Sequence, residues 1–528
     1  MNLKKKENLF LFFLLFFSIY CVVNIGESWD EEYHLLQGKI TLDYLLTFGQ
    51  IDQDLFYREY YSPSFWTLKY FIIEIFPKKY QIEISHLINL TISLLTIFGL
   101  SKLCKELFNK QVGKIIFLIL FFYPIFFGHM GLNSKDTILA FSHVWIFYYL
   151  IKYLKLQNFS QKINRYIYYI AILAAIGSGI QMVFLGSLLP VIIFVLFDIF
   201  FFKKIVNSNF KLKKFLFDIL KCFLVFYIFL ILFWIDVHPN ILHLPLKFFT
   251  ELFSETWHTG WPFNLVDGTY YFSREIPKNY LLVNLFYKSP EYILFLYVVF
   301  FIFYIKFFKF FKNEFKYFNY KILILFGLII FPNLLLYFAP FPIYDGIRLF
   351  IWILPYLCIV PGLVIYFLLK NFKSYFSKFI VSITIMLSGY FLYNFFMITP
   401  YHYTYLNFMN GKEENRYKKF ENDYWGATLK ELVENFDVDK QEKILISTCG
   451  TNDVLIKKYF EKEGYYNLRF VPVENANYIV MTNRTTFKSK NTKNVEDIIN
   501  CFDKYPGKNI SLVKRNKQIL SVIRKLNQ

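Results

Sequence analysis

Charge is scarce in this chain. Asp, Glu, Lys and Arg together supply 18% of its 528 residues, whereas 56% are hydrophobic and 22% aromatic, including 68 Phe and 42 Tyr. A disordered chain needs more charge, and a soluble domain cannot hide so much apolar surface, so both classes are excluded. Cysteine is scarce too. None of the six stands in a CxxC or His-paired spacing that would mark a metal cluster. Cys21, Cys104, Cys222 and Cys358 fall in or beside apolar segments, where a thiol packs as a small hydrophobe. Internal repeats and low-complexity linkers are absent, and so is a Gly-rich phosphate loop. GTND at 450 to 453 has neither the Lys-Ser/Thr of a P-loop nor the repeated glycines of a dinucleotide site.

Long apolar runs are abundant instead, as expected of a chain that crosses a bilayer many times. A span takes about 20 apolar residues, and roughly eleven candidates emerge: 8 to 25, 83 to 101, 115 to 130, 137 to 152, 166 to 180, 182 to 202, 215 to 235, 290 to 307, 321 to 339, 349 to 369 and 379 to 398. The first run follows a basic start as a secretory signal does, but it is long and no small-x-small cleavage site follows. It reads as an uncleaved span.

The net charge of +19 comes from 58 Lys and Arg against 39 Asp and Glu. These bases lie between spans rather than along one continuous face, which points to orientation in a membrane and away from nucleic acid. The same bias decides how SFWTLKYFIIEIFP (64 to 77) is read. As a half-span or surface helix, it leaves Lys102, Lys105, Lys110, Lys114, Lys152, Lys155, Lys162 and Arg165 on the cytoplasmic side. The later clusters at Lys203, Lys204, Lys211 to Lys214 and Lys306 to Lys316 join them. The N-terminus is then cytoplasmic, and residues 26 to 82, 131 to 136, 236 to 289, 340 to 348 and everything after about 399 face outward. The expected architecture is a polytopic α-helical protein of the cell (inner) membrane, with a membrane domain over 1 to 398.

Beyond 399 the apolar runs stop. KILIST (443 to 448), LRFVPV (468 to 473) and NYIVMT (477 to 482) read as strands between polar, helix-compatible stretches, so 399 to 528 is expected to form a small extracytoplasmic α/β domain. Cys449 and Cys501 lie in it, and spacing alone leaves their pairing open.

Unusual chemistry gathers in the outer segments. GESWDEEYHLLQGK follows the first span, with Asp30 and His34 four apart on one helical face. A carboxylate there serves as a general base, or Asp30, Glu31 and His34 hold a divalent ion, or the loop is simply an acidic, solvated one. GHMGLNSKDTILAF places Asn133, Lys135 and Asp136 before an apolar helix. Asp136 either caps that helix or orients a substrate whose phosphate Lys135 holds. His129 lies one turn earlier. The long loop WHTGWPFNLVDGTYYFSREIPKNYLLVNLFYK is dense in aromatics; Trp257, Trp261, Tyr270 and Tyr271 anchor it at the interface or, with His258, Arg274, Lys278 and Lys288, stack a sugar and bind a lipid phosphate. APFPIYDGIRLF adds Tyr344, Asp345 and Arg348, the last placed either to snorkel or to take a phosphate in bidentate fashion.

Together these segments resemble the GT-C integral-membrane glycosyltransferases, in particular glycosyltransferase family 39, with the bacterial relatives of protein O-mannosyltransferases and aminoarabinose lipid A transferases. The resemblance runs through WDEEYH, GLNSKD, HTGWPFNLVDGTYYFSREIPKNYL, YDGIRLF, PYHYTYLNFMNG and FENDYWG. WDEEYH is similar to the family's acidic first-loop motif, whose Asp-Glu pair maps onto Asp30 and Glu31. GLNSKD is similar to an Asn-Pro-Lys-Asp segment, with Ser134 in place of Pro. The resemblance implies inverting transfer of a sugar from a polyprenyl-phosphate donor to an extracytoplasmic acceptor, which is an envelope glycan, lipid or protein. Asp30 is then the base, with Glu31 and Asp136 as further catalytic candidates. Lys135 and Arg348 are the donor-phosphate ligands, and His258, Tyr271 and Asp345 are substrate-loop candidates. It leaves a metal cofactor open, with Asp30, Glu31 and His34 as possible ligands.

A multi-pass transporter or flippase is the rival reading. Carriers keep ionisable or broken-helix sites near the bilayer midplane, whereas the distinctive residues here gather in outer loops.

Overall fold

The computed structural model describes residues 3–50, 62–159, 163–253, 260–338, 341–487 and 494–526. All eleven apolar segments are helical in it. Among the described residues, seven helices are long and apolar enough to cross a membrane: Lys5–Asn24, Lys78–Leu107, Asp136–Leu156, Leu212–Phe233, Phe318–Phe338, Arg348–Lys370 and Tyr375–Met397. An eighth span is possible in the pair Tyr280–Lys288 and Glu291–Lys306, which meet at 112°. Pro290 stands at the break, where without an N–H it cannot continue the first helix by donating to the carbonyl four residues back. The segment expected at 115 to 130 divides into Lys110–Phe121 and Pro124–His129, and Arg165–Ile180 and Leu189–Phe202 are shorter apolar helices. The ambiguous stretch at 64 to 77 forms the ten-residue helix Ser64–Ile73, well short of a span.

The spans differ in what they face. Arg348–Lys370 lies in the middle, its apolar window 89% buried, whereas Leu212–Phe233 is 17% buried and exposes Phe223, Leu224 and Ile228. A polypeptide surface of that kind needs lipid around it, since the chain itself does not cover it.

The region after 399 carries a five-stranded mixed sheet. Its order is Leu468–Phe470, Ile444–Cys449, Tyr478–Thr482, Gln518–Lys525, Lys508–Arg515. The first three are parallel, and Gln518–Lys525 runs antiparallel to both of its neighbours. The three strands expected from sequence are all present. The last two form a hairpin whose turn residues, Asn516 and Lys517, both adopt positive φ. Cys449 and Cys501 are joined in a disulfide, the first at the end of its strand and the second opening a short helix.

This sheet region docks on the C-terminal end of the first span and on the last span. Gly26 donates to the Ala427 carbonyl at 3.1 Å, and a Cβ on Gly26 would lie 2.5 Å from that oxygen, so only glycine permits the approach. Lys458 pairs with Glu27 at 2.7 Å, and Asn516 bonds Asn394 at 2.7 Å.

Candidate active site

The site is built around Arg348, the first residue of the most enclosed span. The preceding turn places Asp345 and Gly346 at φ +59 and +66, which glycine adopts freely and aspartate tolerates with some strain. That turn brings Asp345 beside Arg348 at 2.7 Å (Oδ2 to Nη1). Arg348 Nη2 meets Asp30 Oδ2 at 2.5 Å, and Nε meets Asp136 Oδ2 at 3.2 Å. Three loops therefore deliver three carboxylates to one guanidinium, each to a different nitrogen. The indole of Trp425 lies against the guanidinium, 3.9 Å from ring centre to Cζ.

Access differs among the three. The side chain of Asp30 is 40% exposed, against 2% for Asp136 and 0% for Asp345. The cluster opens at Asp30. Partial burial pushes the Asp30 carboxyl up, but the neighbouring charges, Arg348 above all, outweigh it and hold it at about 2. Lys135 is half-buried at the head of the Asp136–Leu156 helix, and its charge also acts on Asp30 and on Tyr344.

Asp136 does not cap its helix as one expectation had it. Asn133 takes that part: its Oδ1 accepts from the backbone N–H of Lys135 at 3.0 Å and of Asp136 at 2.9 Å, and its Nδ2 donates to Asp136 Oδ2 at 2.9 Å. Asp136 is thereby left to face Arg348. His129 is fully buried and bonds the Tyr424 hydroxyl at 2.9 Å, so it belongs to the packing around the cluster.

Glu31 points elsewhere. It accepts from Ser85 Oγ at 2.6 Å and meets His86 Nε2 at 2.9 Å, with Lys69 Nζ at 4.0 Å, and its side chain is 0% exposed. Burial pushes this carboxyl up, yet His86, Lys69 and Ser85 together bring it to about 2. His34 stacks on Trp66 and its Nδ1 lies 3.1 Å from Ser134 Oγ; burial pushes it down to about 3 despite Asp30 nearby, so it is neutral. Asp30, Glu31 and His34 thus serve three separate partners and do not converge as metal ligands. Among the described residues no group of three or more His, Cys, Asp or Glu is placed to hold an ion.

The long loop forms a hairpin, Phe263–Val266 with Thr269–Phe272, around an Asp267-Gly268 turn. Tyr271 packs against the hydrophobic core and does not join the ion-pair cluster. Arg274 is exposed, and Lys278 lies over Tyr337. His258 and Trp257 lie outside the described residues. Lys288, 5% exposed, is the loop's basic residue that reaches the centre, where its charge acts on Glu421 and Asp345.

Three members come from beyond residue 399: Trp425, Glu421 and Arg484. Arg484 Nη2 lies 3.0 and 3.3 Å from the two oxygens of Asp345. Glu421 accepts from the backbone N–H and hydroxyl of Thr485 at 2.8 and 2.6 Å, and burial, with Asp345 nearby, pushes its carboxyl up to about 7. The FENDYWG segment that supplies Glu421 and Trp425 was visible as a motif; Arg484 had no sequence signal.

No protein family model matches the chain, and no curated protein matches its sequence. Among solved structures, ArnT from Cupriavidus metallidurans in the apo state aligns over 98% of this chain and 98% of its own, with TM-score 0.50 and 9% identity. The same protein bound to undecaprenyl phosphate aligns over 99% and 98%, again at TM-score 0.50 and 9% identity. The oligosaccharyltransferase AglB from Archaeoglobus fulgidus, in complex with an inhibitory peptide and a dolichol-phosphate, aligns over 90% of this chain and 70% of its own at TM-score 0.43 and 12% identity. With its bundle of apolar spans, its ion-pair cluster at the ends of those spans and its docked sheet region, the chain shares the fold of ArnT from Cupriavidus metallidurans.

Proposed function

We propose that this protein transfers a sugar from a polyprenyl-phosphate donor to an acceptor on the extracytoplasmic face of the membrane, with Asp30 as the general base. The observation that carries this reading is the Arg348 cluster, in which three carboxylates share one cation and only Asp30 is open to an incoming molecule. The end-to-end likeness to a protein crystallised with undecaprenyl phosphate supplies the donor class. The Lys clusters between spans and the disulfide between Cys449 and Cys501 favour an outward placement of the site and of the region after 399.

The chemistry follows from exchange of partners. A donor phosphate is drawn to Arg348 and Lys135, and the partner it displaces from Arg348 is Asp30, because Asp136 and Asp345 are sealed in place. Relieved of the cation, the Asp30 carboxyl rises toward the usual range and becomes a better proton acceptor. The acceptor hydroxyl gives its proton to Asp30 as its oxygen attacks the anomeric carbon from the face opposite the phosphate, so the configuration inverts. The bond to the phosphate breaks, and the departing charge stays with Arg348 and Lys135. Asp136 and Asp345 keep the guanidinium aimed throughout. A carrier's ionisable site belongs near the midplane, whereas Arg348 and Asp136 each begin a span and Asp30 follows one.

Purified protein given a panel of polyprenyl-phosphate sugars tests the reading. Release of the polyprenyl phosphate with one donor, lost in Asp30→Asn, is expected; no release with any donor, from protein that is folded and supplied with envelope acceptors, contradicts it.

A further inference from the structure

The central strand of the sheet, Tyr478–Thr482, ends two residues before Arg484. Asn483 fixes the chain at that point: its Oδ1 accepts from the Asn422 N–H at 2.9 Å, and its Nδ2 donates to the Phe420 carbonyl at 3.0 Å. On the other side, a Cβ on Gly450 would lie 2.6 Å from the Arg484 carbonyl and 3.2 Å from Cys501 Sγ, so the disulfide-bonded turn is closely fitted to this backbone.

The Arg484 side chain, 4% exposed, leaves the sheet and enters the membrane part's cluster. Its guanidinium lies against the rings of both Trp29 and Trp261, at 4.6 and 4.2 Å, and its Nη1 donates to the Tyr424 carbonyl at 2.8 Å. A second nitrogen, Nη2, meets both oxygens of Asp345, the carboxylate that also takes Arg348 Nη1. One carboxylate therefore bridges two buried guanidiniums, one from a span and one from the sheet.

Charge decides what this bridge does. Asp30, Asp136, Asp345 and Glu421, the last about half-ionised near neutral pH, face Arg348, Arg484, Lys135 and Lys288, so the cluster is balanced to within about half a charge. Without Arg484 it carries an excess negative charge on Asp345, beside the guanidinium proposed to receive a phosphate. We infer that Arg484 is a positioning residue of the donor site: by neutralising Asp345 it leaves Arg348 free to exchange Asp30 for the donor phosphate, and the sheet region thereby completes the site. This rests on the reading of Arg348 as a phosphate ligand.

Binding of undecaprenyl phosphate to the full-length protein tests it, with folding followed by thermal unfolding. In Arg484→Gln, affinity is expected to fall about tenfold or more, because a buried carboxylate is left uncompensated beside the anion. Adding Asp345→Asn removes that charge, and the double variant is expected to bind at least about threefold more tightly than Arg484→Gln alone, short of wild type because Asp345 also aims Arg348. A residue that merely fastens the sheet to the spans gives no such gain, since the double variant has no ion pair to fasten. If Arg484→Gln does not fold, Arg484→Lys keeps the charge and is expected within about threefold of wild type, a loss beyond about tenfold overturning the inference. Wild-type protein that fails to bind undecaprenyl phosphate removes the phosphate reading of Arg348 and this inference with it. Normal binding in Arg484→Gln, or a double variant as weak as the single one, removes the inference alone.

Discussion

Asp30 and Glu31 are adjacent at the exit of the first span, and each is held at about 2 by cations. Their surroundings are otherwise opposite. Glu31 is sealed against Ser85, His86 and Lys69 on two neighbouring helices, with no exposed side-chain surface. Asp30 sits at the mouth of a cluster drawn from three loops at the ends of spans and the sheet region, 40% exposed and bound to a guanidinium that has two other partners. Ionisation alone therefore does not mark a reacting carboxylate; access and an exchangeable partner do. The sealed carboxylate fastens the first loop to its neighbouring helices, and the open one is the carboxylate proposed to meet a substrate.

The comparison is most severely strained by Arg348→Ala. It leaves three carboxylates facing one another, two of them buried, and is expected to cost about 3–5 kcal/mol of stability and to abolish donor binding. Thermal unfolding and donor titration measure both, and a variant with normal stability would mean that the cluster is not the keystone between the loops. Next in size is the pH dependence set by Glu421. Its folded-state carboxyl lies near 7, above the ordinary value near 4.5, so between those values the native state keeps a proton that the unfolded chain has released. Stability therefore falls as pH rises through that window, by on the order of 3 kcal/mol in all, with no penalty below it and the full penalty above. Unfolding temperatures of wild type and Glu421→Gln across pH 4.5 to 7.5 are expected to converge at the acid end and separate above 7. Parallel curves would show that Glu421 is not buried as described.

A smaller effect is expected from Glu31→Gln. Size and one acceptor oxygen remain, but Lys69 and His86 lose a buried counter-charge, so stability drops by about 1–3 kcal/mol. Transfer per folded molecule is expected to change by less than about tenfold, far less than for a base. A loss comparable to that of a general base would move Glu31 into the reaction and erase the distinction from Asp30.

The membrane architecture was legible from local sequence, because a span needs only a long run of apolar side chains. All eleven segments are helical, although Pro290 and the break at Phe122–Tyr123 shorten some of them. Three strands were legible by their β-branched and aromatic content. The hairpin over Lys508–Arg515 and Gln518–Lys525 was not, since Asn516 and Lys517 form its turn without the glycine that usually signals one. In the site, Asp30, Asp136, Asp345 and Arg348 stood out because each follows or begins a span, and the fold brings them together. Which of two adjacent acids faces outward depends on His86, more than 50 residues away, and the arrival of Arg484 depends on a contact across 139 residues. Neither leaves a local pattern.

Single-turnover transfer at saturating donor, measured beside donor affinity in Asp30→Asn, tests the assignment of Asp30 most directly. The variant keeps size and hydrogen bonding but cannot take a proton. A rate lower by about 10² to 10⁴ with donor affinity retained is expected; a rate near that of wild type would contradict Asp30 as the base.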